Sequence, residues 1–326
     1  MRTGKDLLEA TRAYAAESAG RSWFALLSTT AMLAGCMIAA SRPLFFPLRL
    51  ALSALAGSLI VREFILYHDH MHGALLRGSR LARCVLYPFA IFVMTPPRVW
   101  RETHNYHHAH TAQLVGSNIG SFATMTTSQW AMATRAQRRH YRMVRHPLTV
   151  LCAYFTVFML EMGALSFLRS PRKRWDSLLA LAVNWAATAL LLVRFGAAVF
   201  FFGYFLPLFI ACASGAYLFY AQHNFEGLHI QKREEWSYER AALQSSSYME
   251  MGPLLRWVTG NIGFHHVHHL NPTIPFYRLP EAMAGIPELQ RPGRTSLHPS
   301  EVVANFRLKL WDGEKQKMVR FPEEPD

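Results

Sequence analysis

The chain has 326 residues, 51% of them hydrophobic and only 17% charged, with 34 Lys and Arg against 21 Asp and Glu for a formal net charge of +13. Soluble domains carry about a quarter of their residues as charges, so this composition excludes an ordinary soluble globule and a disordered chain. The 19 Gly and 17 Pro show no period, which excludes collagen-like and low-complexity classes. Cys36, Cys84, Cys152 and Cys212 are far apart in apolar stretches, with no C-x-x-C pair, which argues against a disulfide framework or a thiolate zinc site.

Residues 1–21 mix charges (Lys5, Asp6, Glu9, Arg12, Glu17), unlike a signal or transit peptide, and read as an amphipathic surface helix. Residues 22–40 are free of charge over about the length that crosses a bilayer. Pro43 and Pro47 mark a turn, and a second span follows at 47–67, with Arg49, Arg62 and Glu63 toward its ends. The apolar stretch 85–95 is too short to span. Another covers 147–168 and holds Glu161; two further spans are expected at 177–194 and 197–221.

Basic residues orient these spans. Arg135, Arg138, Arg139, Arg142 and Arg145 precede the 147–168 stretch, and Arg172, Lys173 and Arg174 follow it. The positive-inside rule places both groups in the cytosol, so 147–168 is expected to be membrane-embedded, re-entrant or interfacial, without crossing. The expected fold is an all-α integral membrane protein: four transmembrane helices, one non-spanning segment and a cytosolic helical cap (68–146 and 223–326), with both termini cytosolic. Residues 22–326 form one domain in this reading. Topology accounts for the positive charge, and no nucleic-acid role is needed.

Of 16 histidines, most are clustered. His68 and His72 end the second span four residues apart. His104, His107 and His108 follow at i, i+3 and i+4, and His265, His268 and His269 repeat that spacing, so each set shares one helical face. His223 ends the last span. In the four-span topology all nine lie at the cytosolic face. Neutral imidazole suits iron, zinc and copper. Nine histidines exceed what one tetrahedral zinc requires; they can serve two metals and leave open positions. Without nearby thiolates, iron–sulfur and blue-copper sites are disfavoured. A metal transporter would place its ligands at mid-membrane, and a zinc protease would show H-E-x-x-H; neither pattern is present. Lone His140, His146, His229 and His298 read as ordinary surface or core residues.

The pattern H-x-x-x-H, H-x-x-H-H, H-x-x-H-H, with the stretches WRETHNYHHAHT (100–111), LFYAQHNFE (218–226) and TGNIGFHHVHHLNPTIPFYRLPE (259–281), resembles the membrane fatty acid desaturase superfamily, in particular bacterial acyl-lipid omega desaturases. The resemblance spans about residues 55–312. It implies two iron ions, a non-haem di-iron centre, held by His68, His72, His104, His107, His108, His223, His265, His268 and His269. It implies an oxidoreductase that uses O2 and two electrons to introduce a C=C bond into an acyl-lipid, acyl-CoA or acyl-carrier substrate. Hydroxylases, acetylenases and carotenoid-type oxygenases share the scaffold. Asp69, His70, Glu102, Glu226 and His266 are candidates to support the imidazoles. His70 is an addition to the family's first box, and Phe219 stands where some relatives carry a water-binding asparagine, four residues before His223. No fused cytochrome b5, dinucleotide fingerprint or ferredoxin cysteines are visible, so a separate ferredoxin or cytochrome b5 is expected to deliver electrons. The basic groups at Arg135–Arg145 and Arg172–Arg174 are candidate docking points.

Overall fold

The computed structural model describes residues 2–114 and 119–322. A short helix α1 (Gly4–Thr11) opens the chain, followed by α2 (Ala19–Ser41) and α3 (Phe46–His72). Next come α4 (Arg80–Phe92) and α5 (Pro97–His110), then strand β1 (Met125–Thr126), α6 (Thr127–Met132), α7 (Arg135–Val144) and α8 (Pro147–Leu151). A π-helical stretch, Tyr154–Leu165, runs into α9 (Ser166–Arg169) and α10 (Trp175–Phe195). The last long helix, Ala197–Gln222, comprises α11 (Ala197–Phe200), a π-helical turn and α12 (Leu206–Gln222). The remainder holds α13 (Tyr238–Ser245), β2 (Tyr248–Glu250), α14 (Pro253–Val258), α15 (His265–Leu270), α16 (Leu279–Gly285), β3 (Arg294–Ser296), α17 (Pro299–Arg307), β4 (Leu310–Asp312) and β5 (Lys317–Val319).

Four helices among the described residues are long and apolar enough to cross a membrane: Ala19–Ser41, Phe46–His72, Trp175–Phe195 and Ala197–Gln222. They coincide with the four expected spans to within a few residues. Their large apolar side chains face outward: Phe24 is 75% exposed, Trp185 57% and Val193 81%. A soluble protein rarely tolerates apolar exposure on this scale, whereas a bilayer demands it. At the end far from the histidines, Arg49 ties two turns together. Its guanidinium donates to the carbonyls of Ala40 (3.0 Å) and Ala198 (2.9 Å) and lies 4.1 Å from the Phe202 ring.

The apolar segment 147–169 has both ends anchored at the histidine end of the bundle. Just before it, the Arg145 guanidinium donates to Asn224, directly after the last span. Just after it, Arg174 donates to Ser166 (3.3 Å) and pairs with Glu102 of α5 (3.0 Å). Between these anchors Tyr154 donates to Asn184, halfway along α10, and Asn184 donates to Tyr204.

Two features correct the sequence reading. The residues outside the long helices are not all helical: β1 and β5 flank β4, parallel and antiparallel respectively, and β2 pairs with β3 in parallel. Strands of two or three residues are too short to leave a period-two pattern. Residues 1–21 are also not one surface helix outside the domain. Leu7 and Thr11 of α1 are fully buried; Leu7 joins the apolar cluster of Val267 and Leu270, and Thr11 accepts a 2.8 Å hydrogen bond from Asn271. The N-terminal helix rests on the helix that carries the third histidine set.

Close approach in the bundle depends on small residues. A Cβ on Gly57 of α3 would lie 2.9 Å from both the Ile210 side chain and the Pro207 carbonyl of α12. Gly57→Val is therefore expected to destabilise the detergent-solubilised protein by about 1–3 kcal/mol, read as a lower Tm. Gly215→Ala on the same helix pair, where a Cβ meets nothing within 4 Å, is expected to leave Tm unchanged or slightly raised.

Candidate metal centre

Four helix segments deliver the nine histidines. α3 brings His68 and His72 and stops one residue later at Gly73, whose φ of +75° gives the left-handed cap that closes a helix without a Cβ penalty. α5 begins at Pro97, preorganised for a first turn, and presents His104, His107 and His108 on one face. α12 ends at Gln222 with His223 as its C-cap. α15 carries His265, His268 and His269. It follows Gly263, where a Cβ would stand only 2.6 Å from the Met249 carbonyl, so the chain entering the third set crosses β2 at backbone contact.

The nine imidazoles sort into two groups. His68, His72, His104, His108 and His268 form one; His107, His223, His265 and His269 form the other. Within each, the ligand nitrogens lie within 4.8 Å of one another. The sequence sets are thereby divided: His107 parts from His104 and His108, and His268 parts from His265 and His269. The groups abut where the His108 and His269 rings stack at 4.2 Å. All nine are buried apart from the half-buried His72 and His223.

The nitrogens converge without donors enough to satisfy them. His223 Nδ1 lies 3.0 Å from the Ser245 carbonyl, which can only accept, so Nδ1 carries the proton and Nε2 a lone pair. That lone pair faces Nε2 of His107 (3.1 Å) and of His265 (2.9 Å). In the other group Nε2 atoms meet at 3.1 Å (His104–His68, His108–His104) and 3.2 Å (His268–His108), and His72 Nε2 is buried with no partner among the described residues. Converging buried acceptors repel unless a cation sits among them. The all-nitrogen donor set suits a first-row transition metal. Burial, reinforced by mutual repulsion, holds His104, His107, His108, His265, His268 and His269 well below the ordinary imidazole value; burial brings His223 down to about 4. Imidazole is thus neutral, the form that binds metal.

The supporting residues divide unevenly. Asp69 touches both a clustered imidazole and a distant loop: Oδ1 lies 3.1 Å from His68 Nδ1, while Oδ2 accepts the Phe276 N–H at 2.7 Å, tying the first set to the loop after the third. His70 and His266 bond backbone carbonyls instead, Nδ1 to Leu75 (2.9 Å) and Nε2 to Leu289 (3.0 Å). Glu102 and Glu226 do not orient imidazoles. Glu102 pairs with Arg174 and Glu226 with Lys317 (3.3 Å), and both carboxylates are exposed. Glu102 precedes His104 by two residues, which turns it to the opposite face of α5. Residues the sequence did not single out as contributing to the site also line it. Trp100 stacks on His104 at 4.3 Å, Phe219 lies 4.9 Å from His107, and Ser245 fixes the His223 tautomer. Trp100 and Phe219 precede His104 and His223 by four residues, a spacing that could have flagged them; no local signal marks Ser245.

The fatty acid desaturase family model matches residues 41–300. A "Fatty acid desaturase" of Bacillus subtilis is 30% identical over 327 residues, covering 97% of this chain and 90% of the relative. Two proteins of Arabidopsis thaliana are also similar. The "sn-2 acyl-lipid omega-3 desaturase (ferredoxin), chloroplastic" is 28% identical, covering 83% of this chain and 64% of its own. The "Acyl-lipid omega-3 desaturase (cytochrome b5), endoplasmic reticulum" is 26% identical, covering 70% and 61%.

Asp69→Asn keeps only one acceptor oxygen for the two bonds Asp69 now receives. Removing such support from a ligating histidine weakens metal binding by about 10–100-fold. Titration of apo-protein with Fe2+ or Co2+ is expected to show that loss for the five-histidine group, with little change in helical circular dichroism.

Proposed function

We propose that this chain, which belongs to the fatty acid desaturase family, is an O2-dependent acyl-lipid desaturase whose nine histidines hold two iron ions. His68, His72, His104, His108 and His268 hold one, and His107, His223, His265 and His269 the other. The observation that carries this is the division of the histidines into five and four, two adjoining sets of converging nitrogens. Bound iron supplies the power to activate dioxygen and remove hydrogen from an unactivated methylene pair. Overall, –CH2–CH2– becomes –CH=CH–, and O2 with two electrons and two protons becomes two waters. The protein fixes the imidazoles through Asp69 and Ser245, keeps them neutral by burial, and brackets them with Trp100 and Phe219 so that bulk water stays out.

In this reading the four spans leave every histidine set and both termini on one side of the membrane, and the basic groups Arg135–Arg145 and Arg172–Arg174 support a cytosolic side. The anchors at Arg145 and Arg174 support a segment 147–168 that dips into the membrane and returns. Residues 68–146 and 223–326 form the cap, with α1 part of it, on a single domain. The printed names of the Arabidopsis relatives support a glycerolipid-bound acyl substrate and a separate donor, ferredoxin or cytochrome b5.

Metal analysis tests this reading before any choice of substrate. Iron-replete protein purified in detergent is expected to hold about two iron atoms per chain, and a His268→Ala, His269→Ala variant, which strips one ligand from each group, to lose most of it. Expressed with a donor in a host that lacks polyunsaturated lipids, the wild type is expected to add a double bond visible by gas chromatography and mass spectrometry. Stoichiometric zinc untouched by the variant would sink the di-iron assignment. A hydroxylated lipid in place of an unsaturated one would replace desaturation by its sister reaction.

A further inference from the structure

One surface feature is unused by this chemistry. Arg135, Arg138, Arg139 and Arg142 follow at i, i+3, i+4 and i+7 along α7, and with His146 and Thr149 they line an open cavity of about 700 Å3. The stripe is built rather than incidental. Arg138 donates to the carbonyls of Trp130 (3.0 Å) and Ala131 (2.8 Å), and the Arg138 and Arg142 guanidiniums lie 5.4 and 5.3 Å from the buried Trp130 ring. Arg135 and Arg139 are exposed and form no ion pair among the described residues. In the sequence no acidic residue stands between Glu102 and Glu161.

The flanks of the stripe are apolar. Met132 and Met143 border it, exposed by 79% and 58%, and it runs directly into Leu148, Leu151 and Phe155, whose side chains also face outward. A helix with guanidiniums along its centre and exposed apolar side chains at its margins matches the boundary between headgroups and acyl chains. Every cation of the stripe is arginine, the residue whose planar fork binds phosphate bidentately.

We propose that the α7 stripe is a binding site for an anionic membrane phospholipid, with the phosphate held by Arg135, Arg138, Arg139 and Arg142 and the acyl chains lying along Leu148, Leu151 and Phe155. The site rests on the membrane placement of 147–168 proposed above. A soluble acidic protein docking here would leave the Met132, Met143 and Leu148 margin in contact with water, whereas a lipid covers charge and margin together.

The test uses the full chain in nanodiscs of dioleoylphosphatidylcholine, with dioleoylphosphatidylglycerol added in steps and bound lipid counted by native mass spectrometry. Saturable retention of phosphatidylglycerol over phosphatidylcholine is expected. An Arg135→Gln, Arg139→Gln variant is expected to weaken it on the order of 30-fold while its metal content stays at the wild-type level. Equal retention of the two lipids, or a variant indistinguishable from wild type, overturns the proposal. So does one-for-one displacement of phosphatidylglycerol by a soluble ferredoxin, which would make the stripe a donor dock. Failure of the chain to insert into the neutral nanodiscs at all would instead overturn the membrane placement on which the site depends.

Discussion

The structure turns on nine imidazoles, seven buried and two half-buried, whose ring nitrogens converge. Neutral imidazoles converging to about 3 Å with too few protons between them do not stabilise a fold; they are held together against repulsion by everything around them. That support is visible. The left-handed stop at Gly73 ends α3 just past His72. Asp69 bridges the first set to the Phe276 backbone, and α1 buries Leu7 against the back of α15. A cation among the nitrogens would turn the same convergence from a cost into a stabilising interaction.

This arrangement divides the work between the long apolar helices and the segments around their histidine-bearing ends. The long helices hold no histidine in their apolar interiors, and their outward faces are left to lipid. Their ends carry His68, His72 and His223, and α5 and α15 meet them there. Arg145 joins the two parts. Fully buried, it donates to the carbonyls of Ala123 (3.2 Å) and Leu308 (3.2 Å), to Thr124, and to Asn224 beside His223. Lys309 in turn donates to the Arg145 carbonyl at 2.5 Å, and burial lowers its pKa to about 8. Two neighbouring buried cations are tolerable only where carbonyl and amide oxygens surround them; here those oxygens come from loops that must meet for the cap to close over the last span.

Much of this was legible in the residues. Apolar runs with few charges located the four long helices to within a few residues, because a helix facing lipid is marked by apolar composition over its length. The spacing of His104, His107 and His108, and of His265, His268 and His269, announced helical faces turned to one place. Less legible was anything set by contact between segments distant in the chain. Glu102 and Glu226 sit beside ligands in sequence and point away from them in space, toward Arg174 and Lys317. Ser245, with nothing local to mark it, fixes the tautomer of His223. The short strands of the cap leave no pattern because two or three residues cannot repeat one.

The sequence by itself determined the membrane character, the number of long apolar helices, the nitrogen-only donor set and the identity of the nine converging histidines, since each follows from residue type and short-range spacing. Only the tertiary structure decided how those nine divide. Spacing along one helix makes His104, His107 and His108 look like a unit, and likewise His265, His268 and His269. Two helices crossing at close range give each face two neighbours, so His107 turns to one group and His268 to the other. That division is a property of how α3, α5, α12 and α15 meet, and no single segment contains it.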